Sequence, residues 1–119
     1  KRSKDPNTQV GACITSPNKR IIGIGYNGLP VGCEDQEFPW GNKGGFLDTK
    51  YAYVVHAEPN AILNANSSLI GSSIYVTLFP CNECAKLIIQ SGIRKVIYMS
   101  DKYRNEVSSI ASRRMFCLL

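Results

Sequence analysis

Histidine is nearly missing from this 119-residue chain: His56 is the single example. A metal centre built on two imidazoles is therefore excluded. Long apolar runs are missing too. No uninterrupted stretch approaches the roughly 18 residues that span a bilayer, and Leu87-Ile88-Ile89 is typical of the longest, suited to core elements. No secretory signal pattern opens the chain, no run of Lys and Arg exceeds two residues, and Lys1-Arg2-Ser3 contains no initiator methionine, so a trimmed chain is expected. Five cysteines are an odd number and do not form a secreted disulfide framework, which favours a cytoplasmic setting.

What is present describes one globular domain spanning residues 1–119. The hydrophobic fraction of 44% is ordinary for such a chain. A net charge of +5 and a pI near 9.0 suit an anionic partner, a phosphate-bearing ligand or nucleic acid, and equally a merely basic surface.

Gln9–Thr15 reads as a buried strand, Ser16–Arg20 as a turn, and Ile21–Tyr26 as the hairpin partner. A Gly/Pro-rich stretch runs from Asn27 to about Tyr51, longer than a passive connection needs. Ala57–Asn66 reads as a helix, with Pro59 tolerated in its first turn. Ser73–Leu78 is β-branched and apolar, hence a strand. A helix then begins at Cys81, with Cys84, Leu87 and Ile88 on one face and Gly92 at its end. Arg94–Met99 is the next strand. Val107–Phe116 is a helix with Ile110 and Met115 as apolar positions, and Arg113 and Arg114 on a solvated face. The order β-β-α-β-α-β-α implies a βαβ crossover and a helix-covered sheet. Cys13 and Cys117 read as buried small hydrophobes, and Phe38-Pro39-Trp40 as a packing anchor.

The chemistry concentrates in His56-Ala57-Glu58 and, 25 residues after the histidine, Pro80-Cys81-Asn82-Glu83-Cys84. A Cys-x-x-Cys at a helix start aims two sulfurs at one point, and the helix terminus favours thiolates. His56 at a second helix start completes a zinc-ligating set of His56, Cys81 and Cys84. Three protein ligands leave a tetrahedral position for water, the signature of a catalytic rather than a structural zinc. Glu58 is placed to carry protons to and from that water. The carbonyls near Leu78 to Pro80 read as free acceptors for a departing amino group. A structural zinc knob would leave the Glu58 spacing unexplained.

His-x-Glu followed by Pro-Cys-x-x-Cys is the pattern of zinc deaminases acting on nucleobases, and here the chain resembles the cytidine deaminase superfamily, specifically its dCMP deaminase branch. The resemblance is carried by Arg2-Ser3-Lys4-Asp5-Pro6-Asn7, Gln9-Val10-Gly11-Ala12, Gly23–Gly28, Leu47–Tyr51, His56-Ala57-Glu58 with Asn60-Ala61, Leu78–Lys86 and Ser100–Tyr103, which together cover nearly the whole chain. It implies a three-layer α/β/α fold with a mixed sheet, lacking the family's first helix and its last strand and helix. It implies hydrolytic conversion of dCMP to dUMP, which feeds thymidylate synthesis. By resemblance Glu58 is catalytic, Asn27, Ala57, Tyr103 and Arg2 bind substrate, and Asn7, Gly25, Tyr26, Gly28 and Lys50 form a site for a dCTP or dTTP effector with Mg2+. A homo-oligomer, a hexamer in the family, is implied. Two other readings stay open: a deaminase of tRNA or single-stranded DNA, for which the long stretch offers few basic residues, and a truncated, non-catalytic zinc-stabilised interaction module.

Overall fold

The computed structural model describes residues 10–28 and 55–117. The sequence-predicted elements within them form in the expected order. They are β1 (Gly11–Thr15), β2 (Ile21–Tyr26), α1 (Ala57–Leu63), β3 (Ser73–Leu78), α2 (Asn82–Gln90), β4 (Lys95–Ser100) and α3 (Val107–Cys117). The expectations for Arg2, Asn7, Phe38-Pro39-Trp40 and Lys50 lie outside the described residues.

The four strands form one mixed sheet in the order β2-β1-β3-β4. β1 is antiparallel to both neighbours, and β3 is parallel to β4. The direction of β2 therefore matches that of β3 and β4, so these three strands end at the same edge of the sheet. That edge collects the chemistry: Asn27 follows β2, Cys81 follows β3, and Tyr103 follows β4.

Strand alternation sets the core. Ala12 and Ile14 of β1 and Ile74 and Val76 of β3 share one face and pack with Ala57 and Ala61 of α1, Ile88 of α2 and Ile93. Phe116 of α3 packs on the same cluster. The described residues thus supply one helical layer of the expected sandwich. The other face carries Cys13, Ile24 and Tyr75, and the latter two are exposed. Among the described residues no helix is long and apolar enough to cross a membrane.

Two glycines let α1 lie against β2 at backbone contact. A Cβ on Gly25 would overlap the Ala61 nitrogen and the Ala57 carbonyl, and one on Gly23 the Ala61 carbonyl. Asn60 Nδ2 of α1 donates to the Tyr26 carbonyl at 2.6 Å, and Asn64 Nδ2 to that of Ile24 at 3.2 Å. The helix is thereby bonded to the strand as well as packed on it. Gly92 follows Ser91, the C-cap residue of α2, with φ +92°, the left-handed position that ends a helix.

Several sequence expectations are corrected. Leu87 is 46% exposed, and Ala85 is buried with Cys84 and Ile88 instead. At about 100° per residue, Leu87 falls at the rim of a face centred between Cys84, Ala85 and Ile88. In α3 the buried residues are Ser109 and Ser112, whereas Ile110 is exposed. Cys117 is exposed and Cys13 only half-buried. Arg113 is not a solvated cation: it pairs with Asp101 at 2.7 Å and lies 4.4 Å from the Phe79 ring centroid. Phe79 in turn meets Tyr98 and Phe116 edge-on.

Gly25→Ala should overpack the α1–β2 contact and cost about 1–3 kcal/mol, whereas Gly28→Ala, which enters open space, should change stability by under about 0.5 kcal/mol; urea unfolding midpoints measure both.

Candidate metal centre

His56 reaches the carboxyl edge of the sheet through a short backbone clasp. Gly28 and Val55 form an antiparallel bridge, with Val55 N–H donating to the Gly28 carbonyl at 2.7 Å and Gly28 N–H to that of Val55 at 2.9 Å. Continuing that register by one residue sets Asn27 opposite His56. Asn27 is buried, and its Oδ1 accepts from Val10 N–H at 3.0 Å, which fixes the start of β1 at this edge. His56 is the N-cap residue of α1, and no side-chain hydrogen bond caps that terminus. Its ring is thus not committed to capping.

Cys81 is the N-cap residue of α2, with the extended backbone such a position takes (φ −69°, ψ 170°). Cys84, one turn later, is buried. His56 Nδ1 lies 3.2 Å from Cys84 Sγ and 3.6 Å from Cys81 Sγ, and all three donor atoms fall within 4.8 Å of one another. Zinc bonds of about 2.3 Å to sulfur and 2.0–2.1 Å to nitrogen put tetrahedral ligand atoms roughly 3.5–3.8 Å apart. The observed spacings need only small adjustments to reach that, and a nitrogen with two sulfurs is a donor set zinc favours. The three residues fit the ion.

Glu58 stands inside the same turn of α1 that follows His56. It is 4% exposed and touches the Cys84 thiol. Burial raises its carboxyl pKa, outweighing the stabilisation by its own backbone N–H and by His56. Cys81 is drawn down to about 4, chiefly by the Cys84 thiol, against the opposing effect of burial and with help from the His56 ring and the Cys84 N–H. Cys84 moves the other way, raised by the neighbouring Cys81 sulfur and by burial. A cation bound by both sulfurs would displace the protons they carry.

Ala57, the first residue of α1, is fully buried. Tyr103 lies in the segment after β4, 42% exposed, with Lys102 Nζ 5.1 Å from its ring centroid. Gly25 and Tyr26 belong to the α1 contact: the missing side chain of Gly25 is accounted for by the helix backbone, and the Tyr26 carbonyl by Asn60. The Pro80 carbonyl, read from the sequence as free, accepts the Ser112 hydroxyl at 2.8 Å. A separate apolar groove between α2, α3 and β4, lined by Phe79, Ile93, Val96 and Phe116, includes none of the three metal-binding candidates.

Sequence reasoning gave no role to Asn60, Ser108 or Ser112. Asn60 is four residues from His56, one turn along the same helix, and the spacing was the available signal. The serines of α3 carried none beyond their i, i+4 separation. Asn60→Ala should cost about 1 kcal/mol through loss of the bond to Tyr26, and Asn60→Asp more, since it sets a carboxylate oxygen against a carbonyl; thermal and urea unfolding measure the order.

Residues 1–100 match the family described as the cytidine and deoxycytidylate deaminase zinc-binding region. The chain is 60% identical to the deoxycytidylate deaminase of Pongo abelii, over 97% of this chain and 66% of that protein. It is 59% identical to the deoxycytidylate deaminase of Mus musculus, over 98% of this chain and 67% of that one. It thus spans about two thirds of the length of these relatives. The crystal structure of the dCMP deaminase from cyanophage S-TIM5, in complex with dCMP and dUMP, superposes with a TM-score of 0.61 at 31% identity, covering 82% of this chain and 68% of the other. A helix-start histidine and a helix-start cysteine pair converging at the carboxyl edge of a mixed sheet, with these likenesses, make the chain a member of the cytidine and deoxycytidylate deaminase zinc-binding family.

Proposed function

We propose that this domain hydrolyses the exocyclic amine of dCMP, converting dCMP and water to dUMP and ammonia. The observation that carries the reading is the convergence of His56 Nδ1 and the Cys81 and Cys84 sulfurs beside the buried carboxyl of Glu58. Zinc held by His56, Cys81 and Cys84 would supply Lewis-acid activation of water at neutral pH. Glu58 carries the protons. Its carboxylate takes one from the water that adds to C4 of cytosine, delivers it to ring N3, and protonates the leaving amine. A carboxyl whose pKa burial has raised is suited to both accepting and releasing a proton. The preference for dCMP rests on the likeness to proteins named for that substrate.

Asn27 and Ala57, beside His56, are proposed to meet the sugar and base, with Tyr103 closing the nucleotide from the far side and Arg2 meeting the 5′-phosphate. On resemblance alone we assign Asn7, Gly25, Tyr26, Gly28 and Lys50 to a dCTP/dTTP effector site using Mg2+, and read the protein as a cytoplasmic homo-oligomer built from this single catalytic domain.

Purified protein should contain one zinc per chain and release ammonia from dCMP in preference to CMP, dCTP or cytosine in an oligonucleotide. Equal rates on CMP or dCTP would sink the substrate assignment. Glu58→Gln should lower turnover about 10²- to 10⁴-fold with zinc content intact. Cys84→Ala should lose both zinc, by elemental analysis, and turnover.

A further inference from the structure

Helix α3 begins at Val107, beyond the residues matched by the family, yet it is bonded to the backbone on both sides of Cys81. Ser112 is fully buried, and its hydroxyl donates to the Pro80 carbonyl at 2.8 Å. Ser108, one turn earlier, accepts from Asn82 N–H at 3.1 Å and donates to Asn82 Oδ1 at 3.1 Å. The Pro80 carbonyl belongs to the peptide that enters the Cys81 Cα, and Asn82 N–H to the peptide that leaves it. Both peptide planes flanking Cys81 are therefore fixed by α3. Those planes set the direction of the Cα–Cβ bond, and so of the sulfur.

The need for such a brace follows from helix capping. An N-cap side chain ordinarily accepts from the open N–H groups of the first turn. At α2 that residue is Cys81, whose sulfur accepts from Cys84 N–H at 3.5 Å and also faces the His56 ring. An N-cap side chain serves the second or third N–H of its helix, and Ser108 satisfies the first, that of Asn82, from outside the helix. Cys84 is different, since it sits within the helix and is buried. Of the two sulfurs, the half-exposed one is the one that α3 steadies.

We propose that Ser108 and Ser112 are positioning residues for the metal ligand Cys81. They fix its backbone so that the sulfur meets the ion without rearrangement. The inference rests on the reading of His56, Cys81 and Cys84 as zinc ligands. Partners in this outer position typically change metal affinity about 10- to 100-fold.

The test compares wild type, Ser108→Ala/Ser112→Ala, Ser112→Thr and Arg113→Met, all in the full chain. Zinc dissociation is followed with a chromogenic chelator, the visible spectrum after Co2+ substitution reports ligand geometry, and kcat and KM for dCMP are measured separately. The double variant should lose zinc about 10- to 100-fold faster, shift its Co2+ bands, and lower kcat more than KM. Ser112→Thr, which keeps the hydroxyl, should recover most of the wild-type dissociation rate. Arg113→Met removes the pairing with Asp101 and the contact with Phe79, the residue before Pro80, while keeping both serine hydroxyls, and should lower the melting temperature while leaving zinc dissociation unchanged. Equal acceleration in Arg113→Met would overturn the proposal in favour of general loosening. A folded double variant with wild-type zinc dissociation and Co2+ spectrum would overturn it outright. If the double variant does not fold, the single Ser→Ala variants carry the comparison, and wild-type behaviour in both defeats it. A wild-type protein that binds no zinc would defeat the zinc reading itself, and the brace with it.

Discussion

The approach of α1 to β2 at backbone distance is the constraint on which the site depends. Side chains at positions 23 and 25 would push the helix off the sheet, since both Cβ positions fall on backbone atoms of α1. With glycine there, Asn60 and Asn64 reach the strand carbonyls and lock the helix in rotation as well as in height. His56 occupies the N-cap position of that helix. Its location is thus decided by a contact made almost wholly of main chain, where small errors in packing translate directly into ligand position.

The second constraint is directional. Strands β2, β3 and β4 run the same way, so their carboxyl ends gather residues that are far apart in the chain. Open α/β sheets place ligands at such edges because helix N-termini and the loops that lead into them converge there. Here the two incoming helix starts supply metal-binding side chains, and the N–H groups they leave open are met elsewhere. At α2 the open Asn82 N–H is met by a neighbouring helix. Polar residues in α3 are consequently buried where apolar ones would ordinarily dock a helix.

Much of this was legible in the sequence. Turn residues between β-branched runs gave all seven elements, and the His-x-Glu and Cys-x-x-Cys spacings pointed to the metal cluster, because ligand geometry restricts residue type and separation together. Boundaries slipped by a few residues: β1 starts at Gly11 rather than Gln9, and α1 closes at Leu63 rather than Asn66. The strand order was not legible, since pairing β1 with β3 depends on contacts between distant segments. The face of α3 was misjudged for a related reason. Hydrophobicity favoured Ile110, but the surface it meets offers the Pro80 carbonyl and Asn82, so serines turn inward. Arg113 was likewise assigned to solvent because Asp101 and Phe79, its partners, are contributed by other elements.

The sheet order has a consequence for how the molecule assembles. His56 belongs to a unit made of β1, β2 and α1; both cysteines belong to another made of β3, α2, β4 and α3. The units join through the β1–β3 ladder, which pairs residues such as Ala12 and Val76 across about half of the chain. Closing so long a segment carries an entropic cost that the local β1–β2 hairpin avoids. A cation bound by all three residues straddles that seam and draws its affinity from the docked state alone. A metal held there would act as a latch, following union of the halves and opposing their parting.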